Sequence, residues 1–504
     1  MEKPKLTIED MSTFCKRKGF VYPSSEIYGG LAGFYDYGHL GTLLKKNFEN
    51  VWRKYFLGLD DNFFEIEASE IMHENTFAAS GHLKNFIDIV ARCKKGHAER
   101  ADHILEKKLK KRFEGFSPEQ LFDEIKKNKV LCPVCGLEIE KVEMINMMFP
   151  VFPGIGNASR AFLRPETAQS PYVNFKIQLE VMRRKLPLGL ALIGRAYRNE
   201  ISPRNFILRQ RAFTQAELQI FFNPKKIDEH DDFNSVKDYE LLVVSHDKRD
   251  KVNSIKCSEL SRKLPKFYVY HMAKVQQFYL DVLKFPEEKF RLYELNDKEK
   301  AFYNKYHFDI EAELDSIGWT EIGGIHYRTD HDLKGHQEIS KESMEFLDEA
   351  TKERFIPHVL ELSFGVDRNF YSLLNFAYHF DKARENTVLK LLPSLAPMKI
   401  GIFPLASNKE EIVKLARKVH DSLKECWSAS FDGSGSIGRR YARADEIGTP
   451  LCVTIDFESL EDDSVTLRER DTTEQIRVKI SELKDTVKKF MKGEKFGKLG
   501  KMVE

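Results

Sequence analysis

Two periodicities organise the chain. The run LPLGLALIG (Leu186–Gly194) has the length and apolar content of a buried strand, and Gly194 to Glu200 extends it with Ala196, Arg198 and Glu200 on one face. From Ala212 to Ile220 the alternation returns. Phe213, Gln215, Glu217 and Gln219 share one side, and Thr214, Ala216, Leu218 and Ile220 share the other, mostly apolar one. Ser202-Pro203-Arg204-Asn205 supplies turn chemistry between the two runs. The pattern predicts a long antiparallel hairpin, one face on a core and the other presenting Arg, Glu, Phe, Gln and Glu.

Helical spacing appears in MSTFCKRKGF, which ends near Gly19, and in TLLKKNFENVWRKYFL, with Leu43, Phe48, Val51, Trp52, Tyr55 and Phe56 in step. Between them Gly29–Gly41 reads as a Gly- and Tyr-rich loop, and FFEIEASEIM alternates like a strand. HVLELSFGVDRNFYSLL reads as a strand, a Gly break and a helix. Its strand puts Glu361 and Ser363 on one face, and Arg368 opens its helix. Beyond Pro393-Ser-Leu-Ala-Pro397, strands KIGIFPL and LCVTIDF, the amphipathic NKEEIVKLARKVHDSLKEC and the hairpin-like SVTLRERDTTEQIRVKI predict a compact α/β domain. The expected organisation is a main domain over 1–392, carrying a small insertion at 93–135 and a charged, helix-rich insertion at 223–315, followed by a domain over 393–504 with a basic tail. GSGSIG within the last domain matches the letters of a dinucleotide fingerprint, but no buried strand precedes it, and it reads as a loop.

Composition narrows the class. With 504 residues, 42% hydrophobic and 31% charged, the chain is a globular protein of several domains. A net charge of +2 leaves nucleic-acid binding to local patches. No apolar run is long enough for a membrane span, and MEKPKLTIEDM lacks a signal core, so a cytoplasmic location is expected. Seven cysteines give no disulfide framework. Four candidate ligands stand at the ends of the first insertion: Cys93 and His97, then Cys132 and Cys135 in a CPxCG knuckle. This is a candidate zinc set, with His103 as a substitute ligand. EKKLKKRF (Glu106–Phe113) between them is a basic candidate RNA contact, against the plainer reading of a solvated face.

The stretch Gly194–Glu217 carries five arginines, two glutamates and Phe213. Surface ion pairs contribute little and need no such order. A nucleoside triphosphate would use it: arginines for phosphates, an aromatic face for the base. FLRPETAQS adds Arg164 and Glu166, and EIGGIHYRTDHDLKGH adds Glu321, Arg328 and Asp330.

With these blocks in order, the chain resembles the class II aminoacyl-tRNA synthetases: RNE followed by Arg209 to Phe213 is similar to their motif 2, and SFGVDR to their motif 3. YPSSEIYGGLAGFYDYGHLG, ASGHLKNF, RPETAQ, FTQAE and RTDHDLKGH resemble the homodimeric glycyl-tRNA synthetase family in particular. The resemblance runs from about Tyr22 to Val478. It implies an α+β catalytic domain on an antiparallel sheet flanked by helices, and a C-terminal anticodon-binding domain. It also implies activation of glycine by ATP with Mg²⁺, transfer to the 3' end of tRNA, and a homodimer. Residue by residue, it implies that Arg198 holds the α-phosphate, that Glu200 reads the adenine amino group and that Phe213 stacks on adenine. Arg209 and Arg368 then hold the γ-phosphate end, with Glu361 and Ser363 near the amino acid and a Mg²⁺-bridged phosphate. Glu166, Glu217 and Arg328 line the glycine site, Arg328 near the carboxylate. Arg439, Arg440 and Tyr441 are the expected readers of anticodon bases, and KKFMKGEKFGKLGKM could touch tRNA backbone. The sequence departs from the family at His39 and Ala68, where prolines are usual, and at HYR before Thr329, where ADR is usual. A non-catalytic relative would lose the hairpin's charges, which are all present. A class II enzyme for proline, threonine or serine would need a pocket for a side chain.

Overall fold

The computed structural model describes residues 6–111, 113, 115–155, 160–183, 185–249, 251–301 and 303–503. The first five residues of the N-terminal segment and Arg112 of the basic stretch lie outside them. A nine-stranded, largely antiparallel sheet forms the main body. In chain order its strands are β1 (Phe63–Glu65), β2 (Leu188–Tyr197), β3 (Ala212–Phe222), β4 (Glu240–Val244), β5 (Asn253–Lys256), β6 (Phe290–Glu294), β7 (Tyr306–Leu314), β8 (Gly318–Thr329) and β9 (His358–Gly365). Across the sheet they lie in the order β5-β4-β6-β7-β8-β9-β3-β2-β1.

Helices cover the sheet because their apolar stripes match it. In α2 (His39–Phe56), which follows α1 (Ile8–Lys18), the residues Leu40, Leu44, Phe48, Trp52 and Phe56 recur at every fourth position and are all buried. Helix α1 ends as expected at Gly19, in the left-handed conformation. On the same side run α4 (Lys266–Gln277) and α6 (Val366–Ala377), whose buried Phe370 and Tyr371 join one core with Phe278 and Phe364. The other side carries α3 (Gln169–Met182) and α5 (His331–Ser340), where Tyr172, Phe175, Leu333 and Phe221 pack.

The expected hairpin forms, β2 against β3, with Ala196 opposite Phe213 and Leu192 opposite Glu217, but β2 ends at Tyr197, so Arg198 and Glu200 stand in the loop beyond it rather than on the strand. Strand β9 pairs with the other edge of β3, placing Ser363 opposite Glu217 and Glu361 opposite Gln219. Residues 223–315 differ from expectation. Instead of a helix-rich insertion they supply β4, β5, β6 and β7 to the main sheet, and α4 is the long helix among them. The reason is visible in YHFDIEAEL: Phe308, Ile310, Ala312 and Leu314 are buried while His307, Asp309, Glu311 and Glu313 are not, a period of two inside a charged composition. FFEIEASEIM also divides, into β1 and a separate short strand at Ile71–His73.

Two satellites have cores of their own. Ile87–Cys93, Ala98–Arg100 and Ile139–Asn146 form a three-stranded sheet over helices Ala101–Leu109 and Pro118–Lys127. After residue 399 a six-stranded sheet assembles from β10 (Ile400–Pro404), β11 (Ala429–Phe431), β12 (Leu451–Ile455), β13 (Ser464–Glu469), β14 (Gln475–Lys479) and β15 (Lys501–Met502), in the order β11-β10-β12-β13-β14-β15. The amphipathic α7 (Glu410–Lys424), then α8 (Ile437–Glu446) and α9 (Leu483–Met491), pack on it. The lysine-rich tail folds back here: Phe490 and Phe496 enter the core, and Lys501 pairs with Arg477. Among the described residues no helix is long and apolar enough to cross a membrane.

Candidate active site

The polar face of β3, flanked by β2 and β9, opens into a cleft lined by Arg198, Glu200, Arg209, Phe213, Glu321, Ser363 and Arg368. The guanidinium of Arg198 lies between two aromatic rings, 5.4 Å from the centroid of Phe86 and 5.2 Å from that of Phe213, and its Nε donates to the Pro165 carbonyl at 3.0 Å. Arg209 donates through Nε and Nη2 to Glu200 Oε2, at 2.9 and 2.7 Å. Arg368 donates to the Glu321 carbonyl at 2.9 Å and to its carboxylate at 3.1 Å. Although burial opposes the charge on Glu321, Arg368 holds its carboxyl below the usual range.

At the floor of this cleft, deeper under β3, is a buried acidic cluster. Arg328 grips Asp332 with two donors, Nε to Oδ2 at 2.8 Å and Nη2 to Oδ1 at 3.0 Å. Its remaining contacts are looser, to Glu361 at 3.3 and 3.4 Å and to Glu166 at 3.4 Å. Gln169 Nε2 donates to both Glu166 and Asp332 at 2.9 Å, and its Oε1 accepts from His336 Nε2 at 2.9 Å. Glu361 is also bound by Gln219 Nε2 at 2.7 Å and by His326 Nδ1. Glu217 differs from its neighbours. Its Oε1 accepts from Gln215 Nε2 and Ser363 Oγ, both at 2.8 Å, while Oε2 is reached by Gln219 Nε2 at 3.5 Å.

Electrostatics separate these carboxylates. Burial pushes Glu217 up to about 8, with Glu361 and Glu166 adding to the shift. Burial acts in the same sense on Glu361, but Arg328 and His326 overcome it and hold that carboxyl at about 2. Glu166 is held well below the usual range by His82 and Arg328 against the same desolvation. Three buried carboxylates, Glu166, Asp332 and Glu361, contact the guanidinium of Arg328, while Glu217, buried beside them, makes no such contact among the described residues.

Every residue expected at the site is therefore in the cleft or the cluster, while Asp330 points elsewhere, to Lys334 at 2.6 Å. Arg164 is buried and ties strands and loop together through the carbonyls of Arg195, Ala68 and Ser69. Two glycines are needed for this packing. A Cβ on Gly194 would lie 2.2 Å from Arg164 Nη2, and one on Gly323 would lie 2.5 Å from the Ser363 carbonyl. Asp332, Gln169, His82 and His326 were not anticipated. Asp332 and Gln169 lie four and three residues beyond Arg328 and Glu166, in the first turns of α5 and α3, and that nearness in sequence is the signal that could have found them.

In the first satellite, the ligand atoms of Cys93, His97, Cys132 and Cys135 all lie within 4.8 Å of one another. Cys93 and Cys135 sulfurs are 3.7 Å apart and Cys132 Sγ is 3.9 Å from His97 Nδ1. His103 is not part of this group. In the last domain, Arg440 is buried and donates to the carbonyls of Pro404, Gly433 and Gly435. Tyr441 packs on Phe403 and hydrogen-bonds Thr454 at 2.6 Å. Both are internal ties rather than free base readers, and of the three expected readers Arg439 alone is exposed.

Comparisons with known proteins agree with this geometry. Residues 155–375 match the tRNA synthetase class II core domain (G, H, P, S and T), and residues 399–490 match the anticodon binding domain. The chain is 35% identical to a glycine–tRNA ligase of Methanothrix thermoacetophila, over 96% of this chain and 97% of that protein. It is 36% identical to one of Pyrococcus furiosus, over 96% and 99%, and 36% identical to one of Thermococcus gammatolerans, over 98% and 100%. A crystal structure of prolyl-tRNA synthetase from Cryptosporidium parvum, complexed with L-proline and AMP, superposes with a TM-score of 0.57 at 14% identity, covering 95% of this chain and 74% of that one. That likeness is one of fold.

Proposed function

The chain belongs to the glycine–tRNA ligase family, and from that premise we propose how its cleft and its acidic cluster divide the reaction. The activity is the ATP-dependent joining of glycine to tRNA, on a class II core. In the cleft, Arg198 would hold the α-phosphate, with adenine stacked on Phe213. Arg209 and Arg368 would take the γ-phosphate end. Arg209 has to leave Glu200 to do so, and the freed Glu200 carboxylate then accepts from the adenine amino group. Mg²⁺ would arrive with the ATP, and Glu321 and Ser363 at the cleft wall would offer it oxygen donors, a place expected for Glu361, which lies in the acidic cluster instead.

The acidic cluster would receive glycine. A substrate without a side chain can be gripped only by its ammonium and carboxylate, and the ammonium needs three acceptors. The observation that carries this reading is Glu217: buried, raised to about 8, and with Oε2 held by Gln219 at 3.5 Å. Glu166 and Glu361 stand on either side. The substrate carboxylate would reach Arg328 by displacing one of its looser partners while Asp332 keeps the guanidinium in place. The nucleophile is already ionised, so no general base is required. Attack on the α-phosphorus needs positioning and stabilisation of phosphate charge, which arginines and Mg²⁺ supply.

Three further parts of the reading have separate support. The Cys93, His97, Cys132, Cys135 group would hold a structural zinc: its 3.7 and 3.9 Å contacts match the ligand–ligand edge of about 3.8 Å expected around tetrahedral zinc. The domain after residue 399 would bind the anticodon, in keeping with its family match. A homodimer follows from the resemblance to the homodimeric type. Aminoacylation tests the whole: purified chain, ATP, Mg²⁺ and total tRNA should charge tRNA with glycine and not with alanine or proline. Charging with proline would overturn the assignment of the cluster.

A further inference from the structure

Strands β3 and β9 pair from Phe222 to Gln215, where the partner is Gly365 and β9 turns into α6. One residue further, Thr214 has run out of ladder on that side. Its amide is taken by a side chain instead: Thr214 N donates to Asp367 Oδ2 at 2.5 Å. Asp367 lies in the first turn of α6, where a carboxylate is favoured by the helix dipole, and it is 3% exposed. Its other oxygen accepts the hydroxyl of Tyr37. The Tyr37 ring lies edge-to-face on Phe370 of the same helix at 5.1 Å. Lys45 on α2 completes the circuit. Its ammonium donates to Thr214 Oγ1 at 2.6 Å and sits 4.8 Å from the centroid of the Tyr37 ring.

Four elements therefore meet at one network, buried at Thr214 and Asp367 and partly exposed at Tyr37 and Lys45, which none of the roles assigned above uses. Its two cleft-lining members are the immediate neighbours of nucleotide-facing residues: Thr214 follows Phe213, and Asp367 precedes Arg368. The bond between Thr214 and Asp367 extends the β3–β9 ladder by one tie, joining the strand that carries Phe213 to the helix that carries Arg368. Tyr37 and Lys45 hold that bond from the far side of the sheet. The glycine cluster stands apart from the network, on residues 166, 217, 328, 332 and 361.

Resting on the ATP reading above, we propose that Tyr37 and Lys45 are positioning residues for ATP, which they never touch, acting through Asp367 and Thr214 on the spacing of Phe213 and Arg368. The test is steady-state glycine-dependent pyrophosphate exchange with Tyr37→Phe, Lys45→Met, Thr214→Val and Thr214→Ser, each with its melting temperature. Tyr37→Phe and Thr214→Val should raise the KM for ATP about tenfold, the low end for a lost hydrogen bond to a charged group, with the KM for glycine within about twofold. Thr214→Ser, which keeps the hydroxyl for Lys45, should remain close to wild type. An unchanged KM for ATP overturns the proposal, as does a parallel rise of both KM values with a falling melting temperature. Wild-type protein in the same assay separates the two levels. Absence of glycine-dependent exchange there refutes the functional reading itself, whereas normal wild-type exchange with indifferent variants refutes only the positioning role.

Discussion

Glu217 is the residue on which most depends, and its chemistry gives two predictions. A carboxyl raised to about 8 must lose its proton before it can accept from an ammonium. The KM for glycine should therefore fall as pH rises from about 6.5 to 8.5, and glycine binding near pH 7 should release protons, which calorimetry in buffers of different ionisation enthalpy would detect. The same shift affects stability. The folded chain binds this proton more tightly than the unfolded chain, so the associated stability is full below about 4.5 and is lost as pH rises through about 8. Glu217→Gln removes the cost of ionisation. It should melt higher than wild type at pH 8.5 and show no such gain at pH 5, while losing glycine-dependent activity by a factor of about 10 or more. A variant less stable at pH 8.5 would mean that Glu217 is structurally paired rather than held in readiness. Much at this scale was legible. Phe213, Glu217, Glu361 and Ser363 could be read from a period of two, as could Arg198 and Glu200, although these two stand just past the strand; Arg209 and Arg368 entered through the resemblance of their blocks. His82 could not be read, because the turn His82–Asn85 brings it in from a distant part of the chain, whereas His326 and Asp332 lie two residues before and four after Arg328 and were overlooked because a strand and a helix turn them toward it.

At the scale of elements, the hairpin could be read because its alternation is unbroken over many residues. The strands of 223–315 were hidden because their outward positions are nearly all charged, so composition outweighed period. Arg440 illustrates the opposite error: a cluster of arginines suggested RNA, but a loop of carbonyls at Pro404, Gly433 and Gly435 had already claimed the central one. The first satellite gives an elemental prediction. Its core is small, so the four-ligand group should contribute much of its order. Removing metal with a strong chelator, or Cys132→Ser, should raise hydrogen exchange across residues 87–146. The central sheet, with its separate large core, should keep its protection. Unchanged exchange in 87–146 would argue for a metal-free knuckle.

For the whole molecule, the last domain is fastened to the first by a polar seam. Arg384 donates to Asp445 at 3.1 Å and to the carbonyls of Arg470 and Asp471, Asp445 is held bidentately by Arg468, and Lys18 of α1 pairs with Glu446. Such a seam fixes the distance between the anticodon-binding surface and the catalytic cleft. Arg384→Ala should leave glycine-dependent pyrophosphate exchange within about twofold of wild type. It should raise the KM for tRNA in charging about fivefold, the scale of one lost buried ion-pair contact shared among several. An equal loss in both assays would place its effect in folding. The central claim, that the cleft activates an amino acid and the acidic cluster selects glycine, is tested most directly by pyrophosphate exchange into ATP with each standard amino acid in turn, on wild type, Arg198→Ala and Glu217→Gln. Exchange with glycine alone, lost in Arg198→Ala and strongly weakened in Glu217→Gln, is the predicted result. Exchange supported by another amino acid, or glycine exchange untouched by Glu217→Gln, would contradict it.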